Sequence, residues 1–232
     1  MGATPKRSSD TSYYHISNGN FAKTVKADTE GAVKRYSEKK KQDVYELLFE
    51  DVSGTIKKMY IEEKSFEASK KTKQLAIVLD DVGLTDIISM PVDGKDFRHF
   101  CAKIGNVKLT EPVKFKPYNF EDKDQPGKKV RGLNLFQGPG IDPKADKVAW
   151  FFTKEKPGDC PQPTAEKMSD ADYKIYMIKL TEFFENYIAS FNMGKGSALT
   201  ATPSVLKTEN TTAENTVASG GENFPETDDL PF

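Results

Sequence analysis

Val113-Lys114-Phe115-Lys116-Pro117-Tyr118-Asn119-Phe120 is the stretch on which the fold turns. Alternate side chains of a strand share a face, so Lys114, Lys116, Tyr118 and Phe120 line one side while Val113 and Phe115 point to the other. The second set suits a core. The first cannot be buried as a whole, because lysine is almost never fully buried unless paired. Aromatic residues in strands more often belong to a core than to a binding surface, and the two lysines on the same face are what shift Tyr118 and Phe120 towards the surface. An exposed face that mixes two cations with two rings matches a single nucleic-acid strand: the charges follow phosphates, and the rings offer stacking worth about 1–3 kcal/mol per base.

Downstream, Gln125-Pro126-Gly127 sets Pro and Gly where a type II turn needs them, which predicts a hairpin to a second strand over residues 130–136. Lys128, Lys129, Arg131 and Phe136 then lie across from the first strand, and a further run over 148–153 alternates Trp150 with Phe152. Upstream, a short helix follows Asp93, with Asp96 at its third position, a stripe of Phe97, Phe100, Cys101 and Ile104, and a stop at Gly105. Strands are expected at 13–16, 21–25, 44–49, 56–62, 75–79 and 86–92, with Asp51–Gly54 as a hairpin turn between 44–49 and 56–62. Lys58 and Tyr60 repeat the cation and ring pattern more weakly.

Strands, a helix, a hairpin and a terminal helix fit a mainly β protein with α additions: an elaborated OB-fold, a five-stranded Greek-key barrel that binds oligonucleotides on a strand face and its loops. The extra strand and residues 65–92 are then insertions. The terminal helix is the clearest in the chain. Ser169 with Asp172 starts it, Tyr173, Met177, Leu180, Phe184, Tyr187 and Phe191 recur at helical steps, and Gly194 stops it. Its broad aromatic face docks either on the body or on a second copy of itself, which would make a homodimer.

Charge divides the chain. The 232 residues carry 34 Lys+Arg against 35 Asp+Glu, a net −1 that argues against a nucleic-acid partner if the chain is uniform. It is not uniform: residues 193–232 carry −4, which leaves +3 on the remainder. Residues 1–192 read as a folded domain, 193–222 as a flexible linker too poor in large apolar side chains to offset its ordering entropy, and 223–232 as an acidic tip. No run reaches the roughly 18 apolar residues of a membrane span. Two widely separated cysteines, Cys101 and Cys160, fit reduced thiols in a cytoplasmic protein.

Catalytic chemistry finds little support. No phosphate-binding loop, nucleophile elbow or dinucleotide fingerprint is present, and His15, His99 and Cys101 lack metal-ligand spacing, so no cofactor or resident metal is expected. Asp80 and Asp81, with Asp86 and Asp93 nearby, are the best acids for holding Mg²⁺ in a phosphodiester enzyme, although a turn between strands far more often uses the same residues for nothing more than solvation. An adaptor that binds proteins and no DNA is the other alternative.

The chain ends in Asp228-Asp229-Leu230-Pro231-Phe232. This tip resembles the acidic, Pro-Phe-ended tip of bacterial single-stranded DNA-binding proteins, which follows a disordered linker there too. The body shows no residue-level match to those proteins, and the overall layout is closer to phage single-stranded DNA-binding proteins, with an elaborated OB core and an aromatic-ended acidic tail. The resemblance implies that Phe232 and its carboxylate anchor in a partner's pocket, that Leu230 and Pro231 add apolar contact and restraint, and that Asp228 and Asp229 steer electrostatically. The partners it implies are replication, recombination and repair enzymes in a bacterial cytoplasm, with single-stranded DNA held by the body.

Overall fold

Burial that alternates along the chain builds one sheet. The computed structural model describes residues 11–37, 41–67, 70–81, 84–123, 125–138, 144, 146–165 and 168–193, so the tip and all of the linker beyond Met193 lie outside the described residues. Among them the chain forms β1 (Thr11–Ser17), β2 (Asn20–Val25), β3 (Val33–Ser37), β4 (Gln42–Phe49), β5 (Val52–Glu67), β6 (Lys70–Asp81), β7 (Leu84–Pro91), α1 (Lys95–Ile104), β8 (Val113–Glu121), β9 (Lys129–Phe136) and α2 (Asp170–Met193). The sheet order is β3-β4-β2-β1-β7-β6-β5-β8-β9. The β1 and β7 pair is parallel and every other ladder is antiparallel.

The meander β5-β6-β7 is followed, after α1, by a strand that returns beside β5. The spatial order β8-β5-β6-β7 is that of a Greek key. The edge of β7 is occupied by β1, so no ladder joins β7 to β9. The five-stranded barrel expected from the element order is therefore not closed by hydrogen bonds, and the sheet is open and mixed.

It is nevertheless strongly coiled. Only Glu50 and Asp51 separate β4 from β5, while β2, β1, β7 and β6 lie between them in the sheet. Laid flat, that gap would be about 24 Å. Three peptide steps reach at most about 11 Å, so the sheet must curl until the end of β4 meets the start of β5. Contacts at the seam agree: Lys116 Nζ lies 3.4 Å from Glu50 Oε2, and Lys114 Nζ lies 4.0 Å from Asp51 Oδ2. The Asn18-Gly19 turn of β1 and β2 sits on β8 so closely that a Cβ at Gly19, φ +81°, would fall 2.6 Å from the Asn119 amide nitrogen.

Two sequence expectations fail here. Residues 44–49 and 56–62 do not form a hairpin: β4 is flanked by β2 and β3, β5 by β6 and β8, so neither has an edge left for the other. Val52, Ser53 and Gly54, expected in the turn, are strand residues paired with Phe115, Lys114 and Val113. Residues 148–153 are not a strand either. After a bridge from Lys147 to Phe136, the chain leaves the edge of β9, and the Phe151 and Phe152 amides donate to Ala102 O at 2.7 and 3.4 Å. The Gln125 turn forms as expected, with Lys128 N donating to Gln125 O at 3.0 Å and Gly127 at φ +86°.

One sheet face and both helices enclose the core. Leu75, Ile77, Leu79, Ile88, Met90, Phe115, Leu133 and Leu135 meet Phe97, Phe100, Cys101 and Ile104 of α1. From α2 come Tyr176, Leu180, Phe184 and Ile188, one per turn, so the helix docks on the body of its own chain. Its start is capped as the sequence predicts, with Asp172 N donating to Ser169 Oγ at 3.2 Å. The start of α1 differs, because Gly94 is its N-cap and no side chain bonds there. Among the described residues no helix is long and apolar enough to cross a membrane.

Candidate nucleic-acid interface

The alternation read from β8 is the one observed. Val113, Phe115 and Pro117 are buried while Lys114, Lys116 and Phe120 are exposed and Tyr118 is half-buried. Phe120 is 55% exposed, and its ring stacks on that of Tyr118 at 5.6 Å between centroids and 28° between planes. Register places Phe136, Asn134, Gly132 and Val130 of β9 on the same face. Gly132 is needed there: a Cβ would fall 2.2 Å from His99 Nδ1 and 2.6 Å from Tyr118 Oη.

Beside this platform lies a concavity of about 290 Å³ lined by Lys103, Tyr118, Asn134, Lys144, Lys147, Val148, Ala149 and Trp150. Trp150 and Tyr118 thus line the same concavity. Lys103 is fully buried, donates from Nζ to Leu133 O at 2.6 Å and lies 4.1 Å from the centre of the Trp150 ring. Burial, reinforced by the Lys147 charge, pulls the Lys103 ammonium down to about 7. His99, fully buried against Tyr118 and Trp150, is pulled down to about 3 by burial and then by Lys103 and other nearby cations.

Other expected residues lie elsewhere. Lys129 and Arg131 pair with Glu121 and Asn119, which puts them on the face of the ribbon opposite Tyr118 and Phe120. Lys128 sits in the turn before β9, with Nζ donating to Gln125 Oε1 at 3.2 Å. Lys58 lies over the Tyr60 ring at 4.8 Å, but β8 pairs only with the first three residues of β5, so both are remote from the platform. Phe152 is core. It is 3% exposed among Phe151, Phe183, Phe184 and Tyr187, at 4.9–6.1 Å between ring centres, which leaves no face for a base. Phe152→Ala should accordingly lower stability by about 3–5 kcal/mol, read from urea unfolding, as large-to-small core changes do.

The sheet face opposite the core carries a second, larger cleft of about 740 Å³, lined by Tyr13, His15, Arg35, Glu46, Lys64 and Ser89 among others. Its charge is largely satisfied internally. Arg35 donates to Glu46 from Nε at 3.0 Å and from Nη2 at 2.6 Å, and His15 Nε2 lies 3.2 Å from Oε1. The Arg35 hydrogen bonds hold the Glu46 carboxyl below its usual range.

Of the acids singled out for Mg²⁺, Asp80 and Asp81 end β6, Asp86 lies in β7 and Asp93 follows it. Asp80 pairs with Lys57 at 3.2 Å, the Asp81 side chain lies outside what is described, and among the described residues no group of three or more His, Cys, Asp or Glu could hold a metal. Asp228, Asp229, Leu230, Pro231 and Phe232 also lie outside the described residues. Sequence reasoning missed Lys103, His99, Lys144 and Lys147. The four-residue step from His99 to Lys103, beside Phe100, places both on the inward stripe of α1, and that spacing was the available signal. No family model, no curated protein and no solved structure matches this chain.

Proposed function

We propose that this chain binds single-stranded DNA without sequence preference, through base stacking and phosphate contacts on β8 and its surroundings. The observation that carries the reading is the stacked pair of half-buried Tyr118 and exposed Phe120 on one face with Lys114 and Lys116. Ring faces serve every base equally, and ammonium groups serve every phosphate, so the pair gives affinity without readout. The Greek-key order with a helix before β8 supports an OB-like body, opened by the insertion of β1 beside β7. In this reading the acidic tip recruits replication, recombination and repair enzymes.

A gel shift comparing poly(dT) with duplex DNA tests the reading. Poly(dT) should be retarded at low salt, duplex much less, and the poly(dT) affinity should fall steeply with salt as counterions are released. Absence of any poly(dT) shift at low salt overturns it. Adding Mg²⁺ should leave the labelled strand intact, since a phosphodiester enzyme at Asp80 and Asp81 would cleave it. A chain ending at Gly221 lacks Glu222, Glu226, Asp228 and Asp229, and should bind poly(dT) at least as tightly as the full chain while losing partner enzymes in pull-down. The acidic tail competes with DNA for the basic face of the body in this reading, so weaker binding by the truncated chain would overturn that competition.

A further inference from the structure

The pocket beside the platform gathers three lysines. Lys103, Lys144 and Lys147 line one concavity, and among the described residues lining it none is acidic. A buried ammonium is costly, and an apolar side chain of similar length would fill the same space without that cost. Leu133 O and the Trp150 ring face engage the Lys103 ammonium without neutralising it. The geometry calls for an anion.

The walls define its class. Trp150 and Tyr118 offer aromatic surface beside the ammonium groups, and Asn134 offers both a donor and an acceptor. At about 290 Å³ the space lies at the lower end of ligand pockets, the size of a single nucleotide unit. We propose that this pocket is a subsite for one phosphodiester of a polynucleotide, held by Lys103 and Lys147 with the adjoining base against Trp150, and that the subsite takes up a proton when it fills. The identity of the anion as polynucleotide rests on the single-stranded DNA reading, whereas the anion site itself rests on the pocket.

The proton linkage follows from where Lys103 sits. Its ammonium is held at about 7, and a bound phosphate restores the charged form. Only the charged form attracts the anion, so affinity is full below that value and falls about tenfold per pH unit above it until the bound form also titrates. The groups facing Lys103 are His99 from α1, Tyr118 from β8, and Lys144 and Lys147 after β9. His99, at about 3, does not change charge in the same range.

Trp150 is the only tryptophan in the chain, so its fluorescence reports the pocket directly in the full-length protein. The probe is the dinucleotide TpT, whose single phosphodiester keeps its charge across the range, with inorganic sulfate alongside. TpT should quench Trp150 saturably, with an affinity about tenfold weaker at about pH 8 than at about pH 6. Lys103→Arg should remove the pH dependence while keeping binding, and Lys103→Met should abolish binding. Lys147→Gln, at an exposed position, should weaken binding several-fold with an unchanged thermal midpoint. Equal TpT affinity at both pH values, or wild-type binding by both Lys103→Met and Lys147→Gln, overturns the subsite. If poly(dT) is retarded yet TpT leaves Trp150 unaffected, the subsite falls and the DNA-binding reading stands. If TpT and sulfate both bind while poly(dT) is not retarded, the polynucleotide assignment falls.

Discussion

Raising the pH from about 4.5 to about 6.5 is expected to stabilise the fold by about 2.3 kcal/mol through His99 alone. The imidazole has an ordinary value of 6.5 in the unfolded chain and about 3 in the folded one. Below 6.5 the unfolded chain binds a proton that the folded chain refuses, so each unit of acidification costs about 1.4 kcal/mol until the folded value is reached. Lys103 acts with the same sign in a higher window, since its ammonium goes from 10.5 unfolded to about 7 folded. From about pH 7.5 to about 8.5 it should add another 1.2 kcal/mol or so. Urea unfolding at fixed ionic strength measures both. The paired variants isolate them: His99→Gln should flatten the acid window, and Lys103→Met the alkaline one. Other groups would blur either window if read alone. Asp96, raised by burial, opposes His99 in acid, and Cys101 and Cys160, also raised by burial, oppose Lys103 once unfolded thiols ionise. Each is common to the variant and its parent, so it cancels in the difference between the two curves. A wild-type slope no steeper than that of His99→Gln between about pH 4.5 and 6.5 would refute the acid half.

Both of these groups were hidden in the sequence for the same physical reason. Period-two alternation along 113–120 names the faces of β8 because each face has a distinct chemistry, and the spacing from Tyr173 to Phe191 names α2 because its apolar stripe is broad. Even so, the central inward row of α2 includes Tyr176 and Ile188, which that set of spacings leaves out. Lys103 carries a charge, and charge reads as solvent unless the tertiary environment is known. Only the return of residues 147–152 across the end of α1 buries it. Strand partnership was illegible too. Short connections favour hairpins, and two residues between β4 and β5 are short, but coiling brings the ends of non-adjacent strands as close as a hairpin does. The parallel pairing of β1 with β7 spans most of the body and leaves no local mark in either strand. Lys129 and Arg131 show the finer limit. Their charge suggested the platform, and one register step decided the face.

Phe120→Ala is expected to weaken poly(dT) binding by about 1–3 kcal/mol, roughly 5- to 150-fold, with no loss of stability. The ring is 55% exposed and stacks only on Tyr118, so its removal opens no cavity. Tyr118→Ala should weaken binding by a similar factor, but it also strips the wall shared with His99 above Gly132 and so lowers stability as well. The two variants therefore separate affinity from folding, and Phe120→Ala reports affinity alone. The lysines should behave differently. Lys116 must leave Glu50 to reach a phosphate, so Lys116→Ala loses less than removal of an unpaired lysine would, with the loss greatest at low salt, and reduces the salt slope by about one. The ring pair sits directly beside the Lys103 pocket, because Tyr118 belongs to both. A strand stacked on Phe120 and Tyr118 therefore delivers its next phosphate to the buried ammonium, and Phe120→Ala should leave the pH dependence of poly(dT) binding intact while lowering affinity at every pH. Loss of the pH dependence in that variant would mean that stacking is required to load the pocket. Full poly(dT) affinity in both ring variants would move the strand off the ring pair, onto the rest of the pocket or the larger cleft bounded by Arg35 and Lys64.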